Sequence, residues 1–158
     1  MRFLPKMIRE KIEERNYIIE RKFKEECCDS IIRIERHIDS LLNDIDGLSV
    51  DRNPDQHSSR FILYDVATIK YNYGLVIEEL KRYEHASKNP INYDDIDFKI
   101  KLNYMIAKKK TFRKQFEGIY KNFKRVSKGL NFPRRNEILH SMHDAFDFDS
   151  SKYYGKTK

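Results

Sequence analysis

From Pro5 to Leu48 the chain holds no residue that stops a helix, and this stretch constrains the fold more than any other part of the sequence. Pro5 suits a first helical turn, where its missing N–H is not needed. Further on, Ile31, Ile34, Ile38, Leu41, Ile45 and Leu48 step by three and four residues. That spacing draws a narrow apolar seam along a helix, the pattern by which one helix packs on another. Ile8, Ile12, Ile19 and Phe23 form a looser stripe before it. The first helix is expected as one long rod, or as two pieces with a kink near Cys27, ending near Gly47.

The rest of the chain reads in the same way. SVDRNPDQHSS is a loop by composition. A second helix is expected over about Ser59 to Ala86, with Ile62, Val66, Ile69, Tyr73, Ile77 and Leu80 near one stripe. Gly74 weakens that helix without breaking it. After the loop SKNPINYDD, Asp94 or Asp95 can cap a third helix. Leu102, Met105, Ile106, Phe112, Phe116, Ile119, Phe123 and Val126 form its apolar side, and Gly129 is placed to end it. Pro133 is placed to start a short fourth helix whose inner face is Ile138, Met142, Ala145 and Phe146. With only 5 Gly and 4 Pro in 158 residues, a sandwich of short strands would lack turns. The expectation is an all-α fold: an antiparallel bundle of about four helices, with a long first helix and a short last one. Residues 1–147 read as a single helical-bundle domain and 148–158 as a flexible polar tail.

Several classes of protein are disfavoured. Cys27 and Cys28 are adjacent, so they rarely meet disulfide geometry, and the chain has no other cysteine to frame a zinc knuckle. They read as thiols on a helix in a reducing compartment. No apolar run approaches the roughly 20 residues that span a membrane, and the N-terminus has no apolar signal core. A cytoplasmic protein is expected. No glycine-rich phosphate loop is present, and no cofactor is implied.

Charge is distributed unevenly. The chain carries a formal net +7. Residues 108–135 hold 11 Lys and Arg against one acid, Glu117, while the segments before and after are each close to neutral. Such a run repels itself unless an anionic partner or solvent compensates. Lys108, Lys109, Lys110, Arg113, Lys114, Lys121, Lys124, Arg125 and Lys128 are therefore candidate RNA-backbone contacts. The interleaved Phe112, Phe116, Tyr120 and Phe123 are expected in the core, not against bases.

The run ends in Arg134-Arg135-Asn136-Glu137-Ile138-Leu139-His140. An Arg, a polar neighbour and a His four residues beyond it, at the start of a short last helix, resemble the motif of the HEPN superfamily (higher eukaryotes and prokaryotes nucleotide-binding). That resemblance covers about seven residues in detail and the helical layout loosely. It implies a metal-independent endoribonuclease that leaves a 2′,3′-cyclic phosphate and a 5′-hydroxyl, in a toxin–antitoxin or antiviral defence setting. It further implies a homodimer with the active site in a shared cleft, and an antitoxin or defence-system partner protein. Arg135 would stabilise charge on the phosphorus centre, His140 would move protons, and Asn136 would orient the phosphate or the histidine. His143 and Arg134 are possible auxiliaries. Some family toxins carry a modifiable Tyr two residues after the His; here that position is Met142.

Helical geometry qualifies the motif. At about 100° per residue, Asn136, His140 and His143 fall within roughly 60° of each other, away from Ile138 and Met142, while Arg135 lies about 140° from His140. Arg52-Asn53-Pro54-Asp55-Gln56-His57 repeats the pattern in a proline-containing loop, a poorer context for it. Glu137, His140, His143 and Asp144 offer oxygens and nitrogens, but without a third His or a Cys they make a weak metal set, and no metal is expected. The competing reading is a non-catalytic helical adaptor that binds RNA or a protein through the basic helix and the 31–48 seam.

Overall fold

The computed structural model describes residues 5–50, 56–88 and 96–145. Helix α1 spans Lys6–Lys22, a π-helical segment spans Phe23–Cys28, and α2 spans Asp29–Val50. These three run on without a break as one long first helix. Helix α3 spans Gln56–Ala86, α4 Ile96–Val126 and α5 Arg135–Ala145. The bundle is therefore all-helical and built of four helices, the first long and the last short. No strand occurs among the described residues.

The expected kink near Cys27 is a π segment. Such a segment adds a residue to the turn and so rotates the faces of α2 relative to those of α1. Of the looser stripe before it, Ile19 and Phe23 pack against the core that the α2 seam enters, Ile12 is buried outside that cluster, and Ile8 is exposed, a correction to its place in the stripe. Cys27 is fully buried in the π segment, and burial first, then Cys28 and Glu79, pushes its thiol up to about 12. Burial also raises the Cys28 thiol. Both stay protonated at neutral pH, which makes them poor nucleophiles.

The 31–48 seam is consumed inside the chain. Ile31, Ile34, Ile38, Leu41, Ile45 and Leu48 are all buried, together with Ile62, Val66, Ile69, Val76 and Leu80 of α3 and Met105, Phe112, Phe116, Ile119 and Phe123 of α4. A partner could reach the seam only by opening the bundle. The adaptor reading through that seam is thus corrected: the helix it attracts is the chain's own α3. Polar links repeat the same pairing. The Arg82 guanidinium bonds Glu26 and Glu79, and the Asp65 carboxylate accepts from His37 Nδ1 at 2.7 Å and Ser40 Oγ at 3.0 Å. These ties place α3 antiparallel to α2. Lys101 pairs with Glu20 and Lys108 with Glu35, which sets α4 parallel to the first helix.

Three boundaries differ from expectation. Helix α3 begins at Gln56, so the helix takes in part of the expected loop, where Gln56 and Ser58 disfavour helix only weakly. Residues 51–55 and 89–95 lie outside the described residues, and with them Arg52, Asn53 and the expected caps Asp94 and Asp95. Helix α4 ends at Val126, and no glycine among the described residues has positive φ, so Gly129 is not a left-handed stop. Helix α5 begins at Arg135 instead of Pro133. Phe146 and the expected tail also lie outside the described residues.

Candidate functional site

The motif sits where α4 ends and α5 begins. Pro133 fixes φ for the first corner of a tight turn, and Arg134 takes the second corner with φ 59. The Arg135 N–H donates to Phe132 O at 3.3 Å to close it. That left-handed corner favours glycine, and an arginine there holds local strain. The side chain is steadied by a fork: Arg134 Nε and Nη2 donate to the two Glu137 oxygens at 2.7 and 2.6 Å. Arg134 holds the Glu137 carboxyl below its ordinary range. Glu137 also lies in the first turn of α5, where a negative charge is favourable.

Arg135 turns back onto α4. Its Nε donates to Ser127 Oγ at 2.8 Å and its Nη2 to Lys124 O at 3.0 Å. Ser127 Oγ in turn donates to Phe123 O at 2.6 Å and is buried. A cation therefore caps the carbonyl end of α4, where the helix dipole favours it. This cap is what replaces the glycine stop. Sequence reasoning missed Ser127, because its link to Arg135 spans eight residues and matches no helical spacing.

His140 and Asn136 are exposed. His140 lies beside His143 and Asp144, close enough to bear on both their ionisations. Asp144 forms an ion pair with Lys70 of α3, which holds its carboxyl below the ordinary range. Arg135 and His140 thus have different neighbours: the first faces the end of α4, the second lies beside His143 and Asp144.

His143 is a correction. It was expected on the outward face with His140, but it is only 6% exposed. Helix α5 is short and lies against both α3 and α4, so its flanks are covered as well as its inner stripe. The Tyr120 ring meets the His143 ring edge-on at 6.1 Å. Burial first, then the His140 charge, lowers the His143 pKa from its usual 6.5, with Asp144 opposing. A base with a lowered folded pKa takes up fewer protons folded than unfolded, so its contribution is present above pH 6.5 and is lost as pH falls through the lower folded value. Chemical denaturation of His143→Leu should show a flatter fall in stability below pH 6.5 than the parent. An identical slope would remove His143 as the cause.

The basic run divides into two sets. At about 100° per residue, Lys110, Lys114, Lys121 and Lys124 fall within roughly 40° of one direction, with Arg113 and Arg125 flanking at about 60°. Phe112, Phe116, Ile119 and Phe123 point the opposite way and are buried as expected, with Tyr120 half-buried. Lys110, Lys114, Lys121, Lys124, Arg125 and Lys128 are exposed. Lys121 pairs with Glu117 at 3.3 Å, and Arg125 donates to Asn122 Oδ1 at 2.6 Å. Lys110, Lys114, Lys124 and Lys128 meet no acidic side chain among the described residues. Lys109 and Arg113 are half-buried. Lys108 belongs elsewhere: it bonds Glu35 at 3.0 Å and lies over the Tyr104 and Phe112 rings. It is a strut between α4 and α2, because its position on the helix points toward the bundle, and it is corrected from the phosphate-contact set.

Among the described residues, no group of three His, Cys, Asp or Glu is placed to hold a metal ion. No helix there is long and apolar enough to cross a membrane. Compared with family models, with curated proteins and with solved structures, the chain matches none.

Proposed function

We propose that this protein binds RNA along the outer face of α4 and cuts the bound strand without a metal, as a HEPN-like endoribonuclease in a toxin or antiviral defence setting. The observation that carries the reading is the solvent-facing row of cations on α4, in which Lys110, Lys114 and Lys124 meet no acidic partner among the described residues, and which leads toward Arg135 and the start of α5. A row from Lys110 to Lys124 is about 21 Å long at 1.5 Å per residue, enough to track a phosphate backbone.

Cleavage needs little machinery. The RNA's 2′-oxygen attacks the adjacent phosphorus, and the P–O5′ bond breaks. The 2′-hydroxyl gives up a proton, and the departing 5′-oxygen gains one; an exposed imidazole such as His140 has the nitrogens for either transfer. An arginine holds the added negative charge on the phosphoryl oxygens through forked donors. Since Arg135 and His140 face different neighbours within one chain, the cut is assigned to a cleft between two copies, where one chain's Arg135 can meet the other's His140. An antitoxin or defence-system protein would be the natural regulator of such a cleft.

A second reading, binding without turnover, is favoured by Arg135's place as the cap of α4. The test separates them. RNA cleavage is measured in EDTA for the parent, His140→Ala, Arg135→Ala and Arg135→Lys. Under the enzymatic reading His140→Ala loses about 100-fold or more in rate with its melting temperature unchanged. If cleavage persists in His140→Ala, or if the parent binds RNA and never cuts it, the enzymatic reading is wrong. Ser127→Ala separates Arg135's two roles. It weakens the cap while leaving the guanidinium in place, so stability falls and the cleavage rate holds.

A further inference from the structure

We propose that Glu117 and Gly118 of α4 form a ribose-reading saddle, in which the Glu117 carboxylate accepts a hydrogen bond from a 2′-hydroxyl of the bound strand and so selects RNA over DNA. The inference rests on the reading of α4 as the RNA-binding face and names what that face recognises. Within residues 108–135 Glu117 is the one acid among 11 Lys and Arg. Its place is central. At about 100° per residue it lies within roughly 20° of both Lys110 and Lys124, two turns from each. It therefore stands in the middle of the cationic row and not at its edge. The ion pair with Lys121 does not account for an acid there: Lys121 is 70% exposed, and exposed pairs of this spacing contribute little to stability.

Gly118 interrupts the neighbouring ridge at the same level. Lys114, Gly118 and Arg125 fall within roughly 40° of one another. A glycine inside a helix destabilises it relative to alanine. Gly118 is exposed, its φ is not positive, and nothing lies within 4 Å of where a Cβ would stand. Neither backbone conformation nor crowding within the chain accounts for it, whereas close approach of a ligand to the helix backbone does. From Lys114 to Lys121 the cations leave a gap of about 10 Å along the helix. At that gap the surface offers an acceptor and a hollow in place of a cation.

The chemistry of a nucleic-acid strand selects the occupant. Phe112, Phe116 and Phe123 are buried on the opposite side of α4, so they offer no ring on which a base could stack, and the strand meets the row through its backbone. Along a sugar–phosphate backbone the phosphate and sugar-ring oxygens only accept hydrogen bonds. The donor between the chain ends is the ribose 2′-hydroxyl, which DNA lacks. A carboxylate, in turn, only accepts. Glu117 thus has a partner on RNA and meets only acceptors and like charge on DNA. Lys114 and Lys121 hold the phosphates on either side of that ribose, and Lys121, paired with Glu117, offsets the repulsion between the carboxylate and those phosphates.

The test is the affinity, by fluorescence anisotropy, of three single strands of one sequence: RNA, DNA, and RNA carrying 2′-fluorine in place of each 2′-hydroxyl. The fluorinated strand keeps the sugar pucker of RNA and removes the donor. All are measured in the His140→Ala background, so that cutting does not enter the result. RNA should bind about tenfold more tightly than either other strand, the effect of one hydrogen bond to a charged group. Glu117→Ala should tighten binding of DNA and of the 2′-fluoro strand while RNA stays close to its starting affinity, which brings the ratio near one. Glu117→Gln, which still has an accepting oxygen, should keep part of the preference. Gly118→Leu should weaken RNA binding about tenfold with full helical circular dichroism, since the chain leaves room for the side chain. Equal affinity for RNA and the 2′-fluoro strand, equal tightening of all three strands by Glu117→Ala, or RNA affinity indifferent to Gly118→Leu would each overturn the saddle and leave the α4 surface standing. Failure to bind any of the three strands would overturn that surface and the saddle with it.

Discussion

Replacing Lys110, Lys114 and Lys124 together by glutamate is expected to weaken binding of single-stranded RNA about 100-fold at 0.1 M salt. For single strands, each neutralised phosphate contributes a slope of roughly 0.7 in log affinity against log salt, so three contacts contribute about two decades across one decade of salt. The measurement is a salt titration of affinity by fluorescence anisotropy, for which the parent slope should exceed the variant slope by about 2. All three side chains are exposed on one face of α4, opposite Phe112, Phe116 and Phe123, so the fold should be indifferent to the change. The control carries the same change in net charge elsewhere: Lys6, Lys11 and Lys24, all exposed along the first helix, replaced by glutamate. If both triple variants lose affinity equally, RNA senses net charge and not the stripe. If neither does, α4 is not the binding surface. Lys108→Glu is expected to behave differently again, lowering stability through its strut to Glu35 while leaving the salt slope close to the parent's.

The division within that basic run is also where the sequence was readable and where it was not. Helix periodicity marked the seam of α2 and the apolar side of α4 residue by residue, because burial of a helix obeys its own 3.6-residue repeat. The four-helix layout came from the scarcity of turn residues. What periodicity leaves out is which neighbour stands across a gap. Lys108 lies about 160° round the helix from Lys110, on the side turned to the bundle, but periodicity does not show that Glu35 of α2 stands there to make it a strut. His143 was placed outward because the wheel counts a single inner face, whereas a short helix wedged against α3 and α4 is covered on its flanks too. The cap at the end of α4 was read from Gly129, a local signal, but Arg135 and Ser127 supply it across a turn. The His37–Asp65–Ser40 cluster joins α2 to α3 over 25 to 28 residues and leaves no local trace. The motif Arg135-Asn136…His140 was legible as a string, and its halves prove to have separate surroundings.

The largest loss of stability from one substitution near the motif should come from Phe123→Ala. Phe123 is fully buried at the last turns of α4, and its ring meets that of Phe132 edge-on at 5.3 Å. Removing a buried phenyl costs about 3 to 5 kcal/mol, from lost transfer energy and the cavity left behind. The ring pair adds about 0.5 to 1.5 kcal/mol beyond area. For a chain of this size 1 kcal/mol moves the melting temperature by roughly 2 to 4 °C, so a fall of about 10 °C or more is expected by calorimetry. Phe61→Ala, at a site more than half exposed, should change it little. The consequence reaches the motif because Phe123 stands at the root of its scaffold. Its carbonyl accepts from Ser127, Ser127 accepts from Arg135, and Phe132 opens the turn that launches α5. Below its melting temperature, Phe123→Ala should therefore expose the amides of residues 127–135 to hydrogen exchange before those of α2 and α3. Uniform exchange across the bundle would mean that α5 and its turn are held by α3 alone, through Ser59 and Lys70, and that the motif's position does not depend on the end of α4.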